Sequence, residues 1–326
     1  MRFSFELVPK DPFWKLELLG RIIEEIGGDG IWVSEHPSNR SSILVTAYLL
    51  ERLPKPWIGI GVLNPYMFSP LTAAQVAATL SELAPGRVLL GIGAGDKVAL
   101  SSAGIEREKP LKRVEAMVKA ARALLEKRSF KGYGLDAKLD FRPRSRVPIY
   151  LGAQGERMLR LAGRIGDGVL INHSRPEPLG EAIKEVMEGL REAGRRAEDM
   201  DIGAYLTISI HEDRKKALKT AAPYSAHIIC GAGRKFLEEI GVDEGKLKEI
   251  EKVIASRDWI KLYEILPESY IEATAFIGKA DQLRELVIEL RELGYTQIVF
   301  GAPLGPRVLK ALRWIGEIIS EMRRDL

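Results

Sequence analysis

Short apolar runs alternate with amphipathic stretches along the chain. The first run, Arg2 to Val8, places Phe3, Phe5 and Leu7 on one face and polar residues on the other, which is the two-residue period of a β-strand. The next stretch has apolar residues three and four positions apart and ends at two glycines, which predicts a helix. Because this strand-and-helix unit recurs at intervals of roughly 30 residues, the pattern is typical of a parallel α/β protein.

The pattern predicts eight strands that alternate with helices, which favours a (β/α)8 TIM barrel over an open, doubly wound sheet. We expect residues 1–326 to form a single barrel domain with insertions. One insertion is an excursion near residues 131–144. Another, residues 213–275, is too long for a connecting loop and should be helices laid over the mouth of the barrel. The last helix is predicted over Leu304–Met322. The predicted strands are Arg2–Val8, Gly30–Ser34, Trp57–Val62, Arg87–Ile92, Pro148–Leu151, Gly168–Asn172, Ile202–Ile210 and Thr296–Gly301.

Composition narrows the class of protein. An apolar fraction of 46% and a charged fraction of 29% suffice for a large core under a charged surface, which argues against disorder. The net charge of +4 is small for this length and does not favour a nucleic-acid partner. No apolar run approaches the roughly 20 residues of a membrane helix, and the start does not resemble a signal peptide, so we expect a cytoplasmic protein. The single cysteine, Cys230, excludes an internal disulfide and is expected to be buried.

The stretch from Ile58 to Pro70 combines a buried strand with a candidate binding loop. Glycines at 59 and 61 interrupt the apolar run, which indicates that another group approaches the backbone closely there. The strand should break at Asn64, before a proline, and Pro70 is well placed to open a helix. The loop between them lies at the carboxyl end of the strand, where ligands bind in parallel α/β proteins.

Two glycine clusters follow later strands. The first, Gly91 to Asp96, has three glycines, but Asp96 occupies the place where a dinucleotide fingerprint needs its third. We therefore interpret it as a glycine turn that points Asp96 and Lys97 towards the mouth. The second cluster, Gly152–Gly155, joins a strand to a helix, and its free N–H groups could hold a phosphate or a carbonyl. A plain tight turn explains it equally well.

Polar side chains near the strand ends are the candidates for chemistry. Glu6 lies near the carboxyl end of the first strand, opposite the phenylalanines, so in a barrel it would project into the upper pocket. A carboxyl buried there would have a raised pKa and could donate a proton, although a salt bridge to a neighbouring base is an equal alternative. Glu35 and His36 directly follow the second strand, a position that is often functional in barrels. We expect no metal, because the histidines lack paired ligand spacing.

Several short motifs together carry a family resemblance. They are Phe5–Pro9, Asn64–Tyr66, Ser69–Pro70, Ala78–Leu80, Glu82–Leu83, Gly86–Arg87, Leu90–Gly93, Gly95–Lys97, Gly104–Ile105, Lys109–Pro110, Pro148–Tyr150, Gly152–Gly155, Asp167–Gly168, Leu170–Asn172 and Thr296–Gln297. With them the chain resembles the methylenetetrahydromethanopterin reductases, a deazaflavin-dependent family of the bacterial luciferase-like superfamily. The match is dense in the first half and returns near residues 276–278 and 301–303.

The resemblance implies a (β/α)8 barrel that binds coenzyme F420 at the carboxyl ends of its strands. Members of the family carry a non-prolyl cis peptide in the third strand, here Gly61–Val62, which makes a bulge that backs the deazaflavin ring. The cofactor-binding residues implied in this way are His36, Gly61, Val62, Asn64, Gly152, Ala153, Gln154, Gly155 and Asn172.

The implied reaction is hydride transfer between F420 and a pterin one-carbon carrier in the metabolism of methanogenic archaea. Opening the methylene bridge of methylenetetrahydromethanopterin to an iminium requires a proton on the leaving amine, and a positioned acid contributes roughly 10² to 10⁴ in rate. Our hypothesis is that Glu6 supplies this proton. Asp96 would help to bind the pterin or raise the pKa of Glu6 by like-charge proximity. The resemblance also implies a homo-oligomer, a dimer or a tetramer, with no membrane partner.

Some positions depart from the pattern of the family. Glu35 stands where an aspartate is usual, Phe68 where a base is common, and His173 where a small residue is common, while Pro37 replaces an aromatic residue. Since these positions should face the mouth, we expect Glu35, Phe68, Lys97 and His173 to contact the substrate. The alternatives are another F420-dependent or flavin mononucleotide-dependent oxidoreductase with a different substrate, and a catalytically silent cofactor-binding barrel.

Overall fold

The computed structural model describes residues 1–324 of the chain, and its strands and helices are numbered here in chain order. The strands are β1 (Arg2–Leu7), β2 (Gly30–Ser34), β3 (Trp57–Leu63), β4 (Val88–Gly93), β5 (Ser129–Gly132), β6 (Leu135–Lys138), β7 (Ile149–Ala153), β8 (Gly168–Asn172), β9 (Asp201–Ile210), β10 (Phe276–Gly278) and β11 (Gln297–Leu304). The helices are α1 (Phe13–Glu25), α2 (Ser42–Arg52), α3 (Pro70–Leu83), α4 (Lys97–Ser102), α5 (Pro110–Lys127), α6 (Glu156–Ile165), α7 (Pro176–Glu192), α8 (Arg214–Gly231), α9 (Arg234–Glu239), α10 (Glu244–Ser256), α11 (Trp259–Ile265), α12 (Glu268–Thr274), α13 (Ala280–Glu292) and α14 (Val308–Arg324).

Eight of these strands close into a parallel barrel. Their order is β1, β2, β3, β4, β7, β8, β9 and β11, and β11 pairs again with β1. The predicted (β/α)8 barrel is therefore confirmed. The antiparallel hairpin of β5 and β6 occupies the excursion between α5 and β7, and β10 adds a short strand to the end of β9.

Some predicted elements were wrong or missed. Leu304 was predicted in the last helix but lies in β11, because the strand continues past a register shift at its cis Ala302–Pro303 bond. The pattern missed α4 and β10, since six and three residues are too few for a periodic signal.

Alternation along each barrel strand separates two apolar layers. The residues of β1 that point outwards pack with the helices in the main core, whereas Trp32 of β2 belongs to an inner layer with Leu89, Tyr150, Leu170 and Val299. A Cβ on Gly59 would lie 2.4 Å from the indole ring of Trp32. The predicted close approach at Gly59 is therefore the tryptophan of the neighbouring strand and not a ligand.

Polar contacts close the amino-terminal end of the barrel beneath this layer. The carboxylate of Asp201 is paired with the Arg2 guanidinium and accepts hydrogen bonds from Tyr150 at 2.9 Å and Thr296 at 2.5 Å. The indole of Trp32 donates to a buried glutamine amide at 3.3 Å. Since the amino-terminal end is filled in this way, the open end of the barrel is the carboxyl end, which we call the mouth.

Helices α8 to α12 occupy residues 214–274 and have a small hydrophobic core of their own, which includes Cys230. The hydroxyl of Ser209 in β9 donates to the carbonyl of Ala217 at 2.8 Å and ties α8 to the barrel. Among the described residues, no helix is long and apolar enough to cross a membrane.

Candidate active site

Glu6 stands at the base of the mouth, on the inner face of β1. Its Oε2 accepts a hydrogen bond from the backbone N–H of Ala302 at 2.9 Å. The hydroxyls of Ser34 and Tyr205 face the same carboxyl. The Ser34 contact is loose, because its oxygen has no hydrogen-bond partner of ordinary geometry within residues 1–324. Strands β1, β2, β9 and β11 therefore converge on one carboxyl group.

Burial raises the pKa of Glu6 above its ordinary value. The Ala302 N–H, the hydroxyls of Ser34 and Tyr205, and the charge of Lys10 oppose this shift without cancelling it. Glu6 takes part in none of the salt bridges within residues 1–324, so the alternative of a simple ion pair is wrong. The raised pKa that we expected from burial is confirmed in direction.

Helix α8 brings a row of side chains to the mouth. Tyr224 lies near the charge of Glu6, and the Nζ of Lys10 lies 5.3 Å from the centre of its ring. One turn further along, His227 lies close enough to Asp96, Lys10 and His36 to interact with their charges. Burial lowers the pKa of His227 and Asp96 opposes that shift, so this imidazole holds its proton less strongly than a free histidine.

The floor beside Glu6 is built from one valine and three glycines. The peptide bond between Gly61 and Val62 is cis, as the resemblance implied, and the register of β3 against β4 shifts at this point. A Cβ would lie 2.9 Å from the Val62 side chain at Gly91, 2.6 Å at Gly93 and 3.4 Å at Gly152. The glycines of β4 and β7 therefore accommodate Val62, and together they leave a surface without further side chains.

The loop from Gly152 to Gly155 leads into the amino terminus of α6. No side chain caps this helix, and a Cβ on Gly155 would meet nothing within 4 Å, so the N–H groups of the first turn are open. The Nε2 of Gln154 donates to the carbonyl of Asn172 at 3.0 Å. The methyl of Ala153 packs in the main core, so only the backbone of that residue borders the loop.

Asp96 and Lys97 form the start of α4. Asp96 caps this helix by accepting a hydrogen bond from the N–H of Ala99 at 2.7 Å. Its other oxygen faces α8, 3.3 Å from where a Cβ would stand on Gly231. Of the two roles expected for Asp96, an effect on the pKa of Glu6 finds no support, because burial is the largest cause of that shift and Asp96 is not among the main contributors. Pterin binding by Asp96 stays a prediction.

Three other predicted site residues are held by the protein itself. Glu35 accepts hydrogen bonds from the backbone N–H and hydroxyl of Ser42, the first residue of α2. Asn64 is buried, and its side-chain oxygen accepts hydrogen bonds from the backbone N–H groups two and three positions further along the chain, at 3.1 and 3.0 Å. Phe68 is partly buried and packs against the main core, where an apolar ring is stable, and its contact with a substrate stays a prediction.

Two predicted histidines lie at the rim. The Nδ1 of His36 is 2.8 Å from the hydroxyl of Ser38, and its ring is near His227. His173 stands 6.3 Å, between ring centres, from Phe236 of α9, and burial together with the charge of Arg175 lowers its pKa. Both side chains are only partly buried, so they can contact a ligand.

Sequence reasoning missed several residues of this site. Tyr205 carried a weak signal, since it is the one large polar residue in an apolar strand. Tyr224 and His227 are three positions apart, which places them on one face of a helix. Nothing in the spacing indicated that this face turns towards Glu6.

A closed parallel barrel with a desolvated carboxyl, a glycine-lined floor and an open helix amino terminus at its mouth is the architecture of a cofactor-binding barrel enzyme. Residues 8–297 match the family model described as luciferase-like monooxygenase. The chain belongs to this family.

Within the family, the chain is similar over its length to named reductases. It is 37% identical to the 5,10-methylenetetrahydromethanopterin reductase of Archaeoglobus fulgidus, over 99% of this chain and 100% of the relative. It is 35% identical to the protein of the same name from Methanolobus tindarius, over 98% and 99%. The solved structure of the coenzyme F420-dependent tetrahydromethanopterin reductase of Methanopyrus kandleri superposes with a TM-score of 0.83 at 29% identity, over 97% of each chain.

Proposed function

We propose that this protein catalyses the reversible, F420-dependent reduction of 5,10-methylenetetrahydromethanopterin to the 5-methyl compound by hydride transfer. The observation that carries the proposal is Glu6, a desolvated carboxyl with a raised pKa at the base of the mouth. The names and full-length similarity of the relatives support the same reaction.

The residues around the floor fit a flat, tricyclic cofactor. A planar ring needs a backing surface free of projecting side chains, and Val62 between Gly93 and Gly152 offers one. The open N–H groups at the start of α6 suit the anionic or carbonyl groups of such a cofactor. When bound, reduced F420 supplies the hydride.

Glu6 would act as the general acid of this reaction. Because its pKa is raised, the carboxyl keeps its proton to a higher pH than an ordinary glutamate does. The leaving amine of the methylene bridge must take up a proton as the bridge opens, and a carboxylic acid at the base of the mouth can deliver it. In the reverse direction the carboxylate takes the proton back.

Side chains at the rim would hold the pterin carrier. Lys10, Lys97 and His173 offer cationic or hydrogen-bonding groups, and Tyr224 offers an aromatic face. We propose that the substrate lies between these groups and the floor. Glu35 and Phe68 contribute indirectly, through the packing of α2 and of the loop after β3.

The test is oxidation of reduced F420 by the purified protein, followed spectrophotometrically with methylenetetrahydromethanopterin present. We expect turnover that requires both compounds. Glu6→Gln should lower kcat by roughly 10² to 10⁴ while F420 still binds, because the amide keeps the shape but carries no acidic proton. Glu82→Gln, the same change on the exposed face of α3, is the matched control and should behave as the wild type.

Other outcomes separate the alternatives. Tight binding of F420 without pterin-dependent turnover would overturn the proposed substrate and favour another acceptor. Binding of flavin mononucleotide in place of F420 would overturn the cofactor. Near-normal turnover by Glu6→Gln would remove Glu6 from the mechanism.

A further inference from the structure

Tyr205 has two kinds of neighbour at the base of the mouth. Its ring packs against the inner apolar layer, beside Val62. In the sheet it is in register with Val299 of β11 on one side and Asn172 of β8 on the other. The backbone and the ring of this tyrosine are therefore both fixed by the barrel.

The hydroxyl of Tyr205 faces the carboxyl of Glu6. Gly301 leaves room for that carboxyl beside the backbone of β9. A Cβ at Gly301 would lie 3.3 Å from the Oε2 of Glu6 and 2.6 Å from the carbonyl oxygen of Leu206. The N–H of Ala302 holds the same Oε2 at 2.9 Å. Groups from β9 and β11 thus reach a side chain that β1 carries.

We propose that Tyr205 is a positioning residue for Glu6. Together with the Ala302 N–H, Tyr205 fixes the carboxyl across the base of the mouth. Its hydroxyl donates a hydrogen bond that strengthens as Glu6 gives up its proton. The proposal rests on the proposed function for the reaction that Glu6 serves, but the contact itself does not depend on it. In the transfer, the O–H bond of Glu6 breaks and an N–H bond forms on the leaving amine, whose electron pair takes the proton.

Tyr205 keeps its own proton throughout this step. Burial, and then the charge of Glu6, raises its pKa well above the ordinary value of a tyrosine. A neutral phenol beside a carboxylate is a hydrogen-bond donor, and that bond favours the charged form of Glu6. Removal of the hydroxyl should therefore make Glu6 a weaker acid.

The first experiment is an infrared difference titration of the protein without ligands, with the band of the Glu6 carboxylic acid assigned by its absence from Glu6→Gln. In Tyr205→Phe we expect the midpoint of this band to move to higher pH. Tyr295→Phe is the matched control, because its buried hydroxyl donates to the carbonyl of Leu179 and does not touch the mouth. An unmoved or lowered midpoint in Tyr205→Phe would overturn the proposal, as would an equal shift in the control.

Steady-state kinetics give the second readout. Tyr205→Phe should lower kcat about three- to tenfold, leave KM for the pterin within about twofold, and shift the pH profile in the same direction as the titration. A loss in KM alone would assign Tyr205 to binding and overturn the positioning role. If the wild type itself fails to turn over the pterin, the proposed function fails, while the titration still decides whether Tyr205 controls the proton of Glu6.

Discussion

At the scale of one residue, the surroundings of Glu6 shift the pKa of its carboxyl in opposite directions. Burial raises the pKa, and a backbone N–H, two hydroxyls and the charge of a lysine partly lower it again. The balance leaves an acid that retains its proton above the usual range of glutamate. Such a balance suits a group that must give and regain a proton in each catalytic cycle.

The same balance has a consequence for stability. An acid whose pKa is higher in the folded chain than in the unfolded chain loses a proton on unfolding between the two values, so a rise in pH through that interval favours unfolding. The interval begins near the unfolded pKa of about 4.3 and ends at the raised value. Above it, Glu6→Gln should melt about 1 to 3 °C higher than the wild type, and below pH 4 the difference should vanish. Thermal unfolding of both proteins across this pH range checks the predicted difference in melting temperature. A difference that is the same at every pH would contradict the prediction.

At the scale of elements, three strands share one local arrangement. The side chain of Val62, which follows the cis bond, lies between glycines of β4 and β7. A side chain on either β4 glycine would collide with it, and one on Gly152 would be in contact with it. The floor therefore depends on the pairing of a bulged strand with neighbours that carry no side chain at these positions.

Gly93→Ala tests this arrangement. Its Cβ would lie 2.6 Å from the Val62 side chain, so we expect a loss of about 1 to 3 kcal/mol in the free energy of unfolding, together with weaker binding of F420. In Gly155→Ala the new methyl meets nothing within 4 Å and the backbone φ is −84°, so its stability should stay within about 0.5 kcal/mol of the wild type. Chemical denaturation measures the free energy of unfolding of both variants. Equal stability of the two would show that the Val62 side chain moves aside at little cost and would contradict the prediction.

At the scale of the whole molecule, the two ends of the barrel have different tasks. The amino-terminal end is filled by paired polar groups around Asp201, whose side chain is 8% exposed. The mouth gathers polar groups that are left open to ligands, and α8 lies beside them. This division of stability and function between the ends is general for barrels of this kind.

Asp201→Ala should therefore destabilise the protein without changing the chemistry at the mouth. It leaves Arg2, Tyr150 and Thr296 without their shared partner, and we expect a loss of about 2 to 3 kcal/mol. The control is Asp136→Ala, which breaks an exposed ion pair with Lys131 in the β5–β6 hairpin and should cost less than about 0.5 kcal/mol. Denaturant melts give the stabilities, and a large change in F420 affinity with Asp201→Ala would contradict the separation of the two ends.

Much of the barrel was determined by the sequence itself. The two-residue and 3.6-residue periods predicted all eight barrel strands, because side-chain direction follows from local backbone geometry. The alternation in β1 also placed Glu6 on the inner face, and the family resemblance indicated the cis bond at Gly61–Val62. The short elements α4 and β10 were not predictable, because so few residues show no period.

Only the tertiary structure decided which groups surround Glu6. Its hydrogen bond to Ala302 joins residues 296 positions apart, and Tyr205 and Tyr224 arrive from two further elements. No local pattern encodes such distances, since they arise from closure of the barrel and from packing of α8. For the same reason the sequence could not show that the ring of Phe68 packs against the main core.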